Sequence, residues 1–183
     1  MSYMKLLVAL LLSISCQAQT TQAPTVSNTK VDPGWKILKT TEYSIQYPST
    51  WDLDQSGGYN TQFLLLSPLE SKGDNFRENI NLVIEDLQGK DIDLDQYTTL
   101  AKDQIKKYIT NVNFLETTTV GKKPDIHEKV IYTGDQGVYH LNFEQYYWVK
   151  NGNAYVVTLT CEQNKVAAFK ETGESIMNSF VVK

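Results

Sequence analysis

The feature that most constrains the fold is a pair of long strand-like segments around an Asn-Gly turn signal. Residues 137–150 and 154–161 are rich in aromatic and β-branched side chains, which favour strands, and Asn151-Gly152 lies between them. Because side chains alternate across a strand, odd-numbered residues such as Tyr147 and Val157 form an apolar row in both segments. We therefore predict a β-hairpin whose odd-numbered face is the core face.

The connection of this hairpin should keep the two apolar rows on one side of the sheet. A two-residue turn would pair odd with even positions, whereas a three-residue loop over 151–153 pairs Tyr147 with Val157. We predict the longer loop, or a bulge that compensates for a shorter one. Tyr146 and Trp148 would then lie on the even face, where they form a docking patch or are covered by a helix; coverage is the commoner situation for strand aromatics.

Length and charge limit the classes of protein to which the chain can belong. Residues 35–183 suffice for a single domain with a sizeable core, once an export segment over 1–18 and a linker over 19–34 are set aside. The chain has 17 Lys and Arg residues against 21 Asp and Glu residues, whereas a nucleic-acid groove needs a concentrated basic face. We expect a monomer without a nucleic-acid partner, whose only membrane contact is an N-terminal lipid anchor.

The N-terminus has the features of a signal peptide. Lys5 supplies the positive start and an apolar run follows over 6–12, ahead of small residues. Ser13-Ile14-Ser15-Cys16 resembles a bacterial lipobox, with Ser13 where Leu is usual, and would make Cys16 the lipidated first residue. The alternative is ordinary cleavage after Ala18. We favour a lipoprotein held in the cell envelope by a polar tether over a free periplasmic or secreted protein.

Cysteine usage agrees with either form of export. Once Cys16 is lipidated or removed, only Cys161 remains, so no intrachain disulfide can form. Cys161 lies on the apolar row of the second strand, and a reactive cysteine needs an accessible, electropositive setting. We therefore predict a buried, inert thiol.

The order of predicted elements indicates an α+β fold. Several strands precede a helix from about Asp93 to Ile109, and further strands precede a second helix from about Lys165 to Asn178. Many consecutive strands with short links favour an antiparallel sheet. We predict an antiparallel β-sheet flanked by helices, with polar loops over 52–60 and 68–77.

No residue pattern in the chain has the spacing of a catalytic or metal site. Asp91, Asp93 and Asp95 have the spacing that opens an EF-hand loop, but the later ligands are missing, and helix capping explains these acids better. His127 and His140 could bind a metal with a carboxylate or act as a base, but nothing in the sequence brings them together. Serine-elbow and phosphate-loop patterns are also missing. We therefore expect a protein that is not an enzyme and that has no cofactor or metal.

Four short motifs are similar to those of the PsbP-like family, over residues 35–183. They are Tyr47-Pro48-Ser49-Thr50-Trp51, Glu78-Asn79-Ile80-Asn81-Leu82, Gly152-Asn153-Ala154-Tyr155-Val156-Val157-Thr158 and Ser179-Phe180. This group shares its fold with Mog-type Ran-binding proteins and with DcrB-type and LpqN-type bacterial lipoproteins. The resemblance implies a three-layer α-β-α arrangement around an antiparallel sheet, and mainly non-catalytic roles as assembly factor, docking protein or accessory lipoprotein.

Two functional hypotheses follow. The first is an exported accessory domain that docks to an envelope protein through a sheet edge, the 52–60 loop or the 68–77 loop. The second is a small-ligand binder or hydrolase with a pocket lined by Tyr146, Trp148 and a histidine, His140 being the candidate. We prefer the first hypothesis because the resemblance and the tether favour it and no catalytic group is evident.

Overall fold

A seven-stranded antiparallel sheet forms the centre of the protein. The computed structural model describes residues 33–183, so the predicted export segment over 1–18, including Cys16, and the linker up to residue 32 lie outside the described residues. In chain order the elements are β1 (Trp35–Lys39), β2 (Tyr43–Pro48), β3 (Asp52–Asp54), β4 (Phe63–Leu66), β5 (Asn79–Asp86), α1 (Leu94–Tyr108), β6 (Thr110–Val120), β7 (His127–Gln136), β8 (Tyr139–Lys150), β9 (Asn153–Glu162), α2 (Val166–Asn178) and β10 (Val181–Val182).

The elements form three layers. The central sheet has the strand order β3-β4-β5-β9-β8-β7-β6, and every strand pair in it is antiparallel. Helix α1 packs on one face, against β6, β7 and β8. Helix α2 packs on the other face, together with a small sheet of order β1-β2-β10. The predicted α+β sandwich is confirmed, and the layer that contains α2 also holds this small sheet.

The turn of the β8–β9 hairpin differs from the prediction. Lys150 pairs with Asn153 and Tyr147 with Val156, so the turn contains only Asn151 and Gly152. Both turn residues have positive φ, 54° and 76°, as a tight type I′ hairpin turn requires. The predicted three-residue loop is wrong, and odd residues of β8 share a face with even residues of β9.

Burial of both sheet faces explains why this register is stable. The odd residues of β8 and the even residues of β9 pack under α1, whereas Tyr146, Trp148 and their partners on β9 pack on the α2 side. The prediction that the odd face is the core face in both strands is therefore wrong, since each strand contributes apolar residues to the cores on both sides. The α1-side core includes Val83, Tyr97, Ala101, Ile105, Val130, Tyr132, Leu141, Phe143, Tyr147 and Val156. The α2-side core includes Ile45, Phe63, Leu65, Ile80, Leu82, Trp148, Val157, Ile176 and Phe180.

Helix α1 begins with a capping box. The side chain of Asp93 accepts a hydrogen bond from the backbone N–H of Gln96 at 2.8 Å, and the Gln96 side chain accepts one from the backbone N–H of Asp93 at 3.1 Å. Capping is therefore the role of Asp93, as predicted. The helix buries Tyr97 and Ile105, whereas Tyr108, which has the same helical spacing, is 60% exposed.

A glycine in β7 allows the end of α1 to approach the sheet. A Cβ atom on Gly134 would lie 2.2 Å from Cγ2 of Ile109 and 3.2 Å from the carbonyl oxygen of Thr110. Ile109 caps the C-terminus of α1 and is 4% exposed. Because a β-branched side chain has few alternative rotamers, Ile109 cannot move away without disturbing this contact.

Replacing Gly134 by Ala should therefore destabilise the protein by about 2 kcal/mol, because the added methyl group overpacks the contact with Ile109. Urea unfolding of Gly134→Ala, Ile109→Ala and the double variant measures this free energy. In the Ile109→Ala background, which lacks Cγ2, the alanine at 134 should be much less harmful. Additive losses in the double variant would contradict the proposed contact.

Candidate functional site

Tyr146 and Trp148 are buried within the α2-side core. Tyr146 is 3% exposed and Trp148 is 8% exposed. The Tyr146 hydroxyl donates to Oδ1 of Asn178, at the end of α2, over 3.3 Å, and the Trp148 ring lies 5.0 Å from that of Phe180. The two rings therefore form no exposed patch, and their proposed role in ligand binding stays a prediction.

The histidine beside these aromatic rings is His127. Its ring lies 4.7 Å from that of Trp148 and 4.9 Å from that of Tyr146, and burial lowers the pKa of His127. His140 is on the exposed start of β8, where its Nδ1 lies 2.6 Å from Oδ1 of Asp135. His127 and Asp135 are eight positions apart on β7, which corresponds to about 26 Å of extended strand, so the two histidines cannot share a site.

An open cleft lies at the end of the sheet where β8 starts and β9 finishes. Its volume is about 310 Å³. One wall is the 70–76 part of the loop that joins β4 to β5, and the opposite wall comes from Tyr139, Glu162 and Lys165. This loop is one of the docking loops proposed from the sequence, and the structure brings it against the segment between β9 and α2.

A single lysine connects the two walls. The Nζ atom of Lys165 lies 3.1 Å from a carboxylate oxygen of Glu70, 3.1 Å from one of Asp74 and 3.2 Å from one of Glu162. Burial disfavours the charged ammonium group, but these three carboxylates more than compensate and raise the pKa of Lys165 above its ordinary value. Lys165 therefore remains charged, and it holds the loop against the body of the domain.

A fourth carboxyl group lies behind Lys165. Glu78 is fully buried, with its carboxylate 3.9 Å from Nζ of Lys165, and it accepts a hydrogen bond from Ser67 at 3.4 Å. Burial raises the pKa of Glu78, whereas hydrogen bonds lower that of Asp74 despite its burial. Four carboxyl groups thus surround one ammonium group, and the cleft carries excess negative charge.

Cys161 lies next to this buried acid. Its Sγ atom is 4.0 Å from Oε1 of Glu78, and the residue is 2% exposed. Burial, together with the negative charge of Glu78, raises the pKa of the Cys161 thiol to about 12. The predicted buried thiol is confirmed, and the raised pKa keeps it protonated and unreactive at neutral pH.

Two aromatic rings complete the cleft, and an arginine outside it helps to fix its loop. The rings of Phe76 and Tyr139 lie 5.0 Å apart, and the Tyr139 hydroxyl donates to the carbonyl oxygen of Asn75 over 3.3 Å. Beside them, Arg77 donates to the carbonyl oxygens of Leu66 and Ser67 and pairs with Asp52 at 2.7 Å. An acidic rim next to aromatic rings is suited to a cationic group such as a lysine or arginine side chain.

Within residues 33–183, no group of three or more His, Cys, Asp or Glu side chains has an arrangement that could hold a metal ion. No helix in the same part of the chain is long and apolar enough to cross a membrane.

Comparison with known proteins identifies a family and a fold. The family model described as PsbP-like protein matches residues 8–182. The solution structure of cyanobacterial PsbP from Synechocystis sp. PCC 6803 is similar with a TM-score of 0.60 and 14% identity, covering 86% of this chain and 98% of that one. No curated protein sequence gives a significant match.

Two further solved structures have the same fold. A Pseudomonas aeruginosa protein of unknown function is similar with a TM-score of 0.58 and 14% identity, covering 82% of this chain and 99% of that one. LpqN of Mycobacterium tuberculosis, described as involved in cell envelope biogenesis, is similar with a TM-score of 0.56 and 9% identity, covering 83% of this chain and 93% of that one.

Replacing Lys165 by Met should lower the free energy of unfolding by about 2 kcal/mol at about pH 8, because Asp74 and the buried Glu78 lose their shared cation. The loss should shrink towards about pH 5, since carboxyl groups without that cation take up protons more readily and then no longer need it. Urea unfolding at both pH values measures the difference.

Lys170→Met is the matched control for this variant, because Lys170 is an exposed lysine on α2. Adding Glu78→Gln to Lys165→Met should recover part of the stability, as it removes the buried charge that has lost its partner. A loss that is the same at both pH values would contradict the electrostatic explanation.

Proposed function

We propose that this chain, which belongs to the PsbP-like protein family, is a non-catalytic docking domain of the bacterial cell envelope. In this proposal the export segment directs the chain out of the cytoplasm, and lipidation of Cys16 tethers it to a membrane. The domain then binds a protein partner through the acidic cleft. The similarity to LpqN, which is described as involved in cell envelope biogenesis, supports an envelope role.

The observation that carries the proposal is the excess of carboxyl groups around Lys165. Glu70, Asp74 and Glu162 all lie within 3.2 Å of its Nζ atom, so three carboxylates share one cation. The side chains of Glu70 and Glu162 are 47% and 24% exposed, so both carboxylates can also reach a group that enters the cleft. A partner segment with a lysine or arginine has the complementary charge.

The rings of Phe76 and Tyr139 give the same cleft an apolar wall. The aliphatic part of a long basic side chain can lie along these rings while its charged end reaches the carboxylates. By contrast, Tyr146 and Trp148 are buried and His140 pairs with Asp135, so a ligand pocket built from these residues has less structural support.

The test is chemical cross-linking in cell-envelope extracts with a variant that carries Glu70→Gln and Glu162→Gln. These changes keep the shape of the cleft and leave Asp74 and Glu78 to hold Lys165. The matched control carries Asp91→Asn and Glu171→Gln, which remove two exposed acids outside the cleft.

We expect the wild type and the control to give the same cross-linked partner, and the cleft variant to give several-fold less of it. The cross-linked peptide of the partner should contain lysine or arginine. Equal capture by both variants would exclude the cleft as the docking site, even if a partner were found.

A further inference from the structure

We infer that two copies of this chain pair through the free edge of β6, which would join their central sheets into one. This surface is separate from the cleft, because the 116–120 part of β6 pairs with residues 127–131 of β7, whereas the cleft contains the start of β8. Pairing there would leave the cleft of each copy open.

The edges of the central sheet are unequally protected against pairing. β3, at one edge, has only three residues, Asp52-Leu53-Asp54, and Arg77 pairs with Asp52. β6, at the other edge, has 11 residues, and within residues 33–183 it pairs only with β7. Short, charged edge strands resist pairing with another chain, whereas a long strand with a single charged residue, such as β6, presents a row of unpaired backbone groups.

The second half of β6, residues 116–120, has one charged residue, Glu116, and no other feature that opposes pairing. Register shifts distort the strand up to Glu116, but residues 116–120 are in continuous register with residues 131–127 of β7. This segment, Glu-Thr-Thr-Thr-Val, contains neither Lys nor Pro, and its first four residues are exposed. Its backbone therefore has the regular geometry that another strand needs.

Intrachain hydrogen bonds engage the side chains of this segment. On the α1 side, Lys102 donates to the hydroxyl of Thr117 at 2.9 Å, and Thr119 donates to the carboxylate of Glu128. On the other side, Thr118 donates to Glu116 at 3.1 Å. These side chains are already ordered, so pairing of the backbone would fix few additional rotamers.

The charges favour a second copy as the occupant. An antiparallel pair centred on Thr118 places each Thr117 opposite Thr119 of the second copy, and each Glu116 opposite an uncharged Val120. Lys102 of one copy, bound to Thr117, would then lie on the same side of the sheet as Glu128 of the other, a 5% exposed carboxylate bound to Thr119. The two-fold axis repeats this arrangement, so each lysine faces a threonine that is bound to a carboxylate, and Glu116 faces no like charge within residues 116–120.

Sedimentation velocity over a dilution series of the purified protein tests the proposal. We expect a concentration-dependent dimer, in place of the monomer expected from the sequence. Thr118→Lys places two lysines opposite each other at the axis and should weaken the dimer roughly tenfold or more. Thr110→Lys, an exposed threonine on the same strand beyond the register shifts, should leave the dimer unchanged.

A second pair of variants tests whether the charge of Lys102 contributes to the dimer. Lys102→Glu should weaken the dimer, and the effect should diminish at high salt; Lys106→Glu, one turn further along the exposed side of α1, should have no effect. Thermal unfolding of each variant shows whether it is folded. A wild type that remains monomeric throughout the series, or equal effects of Thr118→Lys and Thr110→Lys, would overturn the proposal.

Discussion

Burial of the central sheet on both faces is the constraint on which the rest of the structure depends. The strands β5, β8 and β9 each contribute apolar residues to both sides, so the sheet needs a cover on each side. Helix α1 covers one side, and its close approach is possible because position 134 is a glycine. Helix α2 and the small sheet cover the other side, and their placement determines where the segment before α2, with Lys165, lies.

The cleft is a consequence of this layered arrangement. The end of β9 leads directly into the segment that holds Lys165, and the start of β8 brings Tyr139 alongside it. The loop between β4 and β5 folds back against this segment, where Glu70 and Asp74 pair with the ammonium group of Lys165. Loop anchoring and the negative charge of the cleft therefore come from the same residues.

The sequence predicts those features of the fold that depend on local pattern. The two β8–β9 strands, the capping role of Asp93 and the burial of Cys161 all follow from neighbouring residues. The register of the hairpin does not, because a sheet covered on both sides accepts either pairing of odd and even rows. Tyr108 has the spacing of the buried stripe of α1 but is exposed at the last position of the helix, and only the tertiary structure shows this.

The cleft could be predicted only in part. The 68–77 loop was one of the docking elements proposed from the sequence, but its partner is 91 positions away, since Lys165 bonds to Asp74. No local signal marks such a contact; a lone lysine before a helix is usually a surface residue. Tyr146 and Trp148, the aromatic residues proposed from the sequence as a docking patch or pocket, are part of the core, as is usual for aromatic residues in strands.

The central claim is that the cleft recognises a basic segment, and a titration followed by amide NMR tests it most directly. A lysine-rich peptide is added to the protein, and a glutamate-rich peptide of the same length serves as the comparison. We expect saturable shifts of the amide signals of Asn75, Tyr139 and Lys165 with the basic peptide alone, and smaller shifts at high salt. Shifts spread over the whole acidic surface, or none at these three residues, would contradict it.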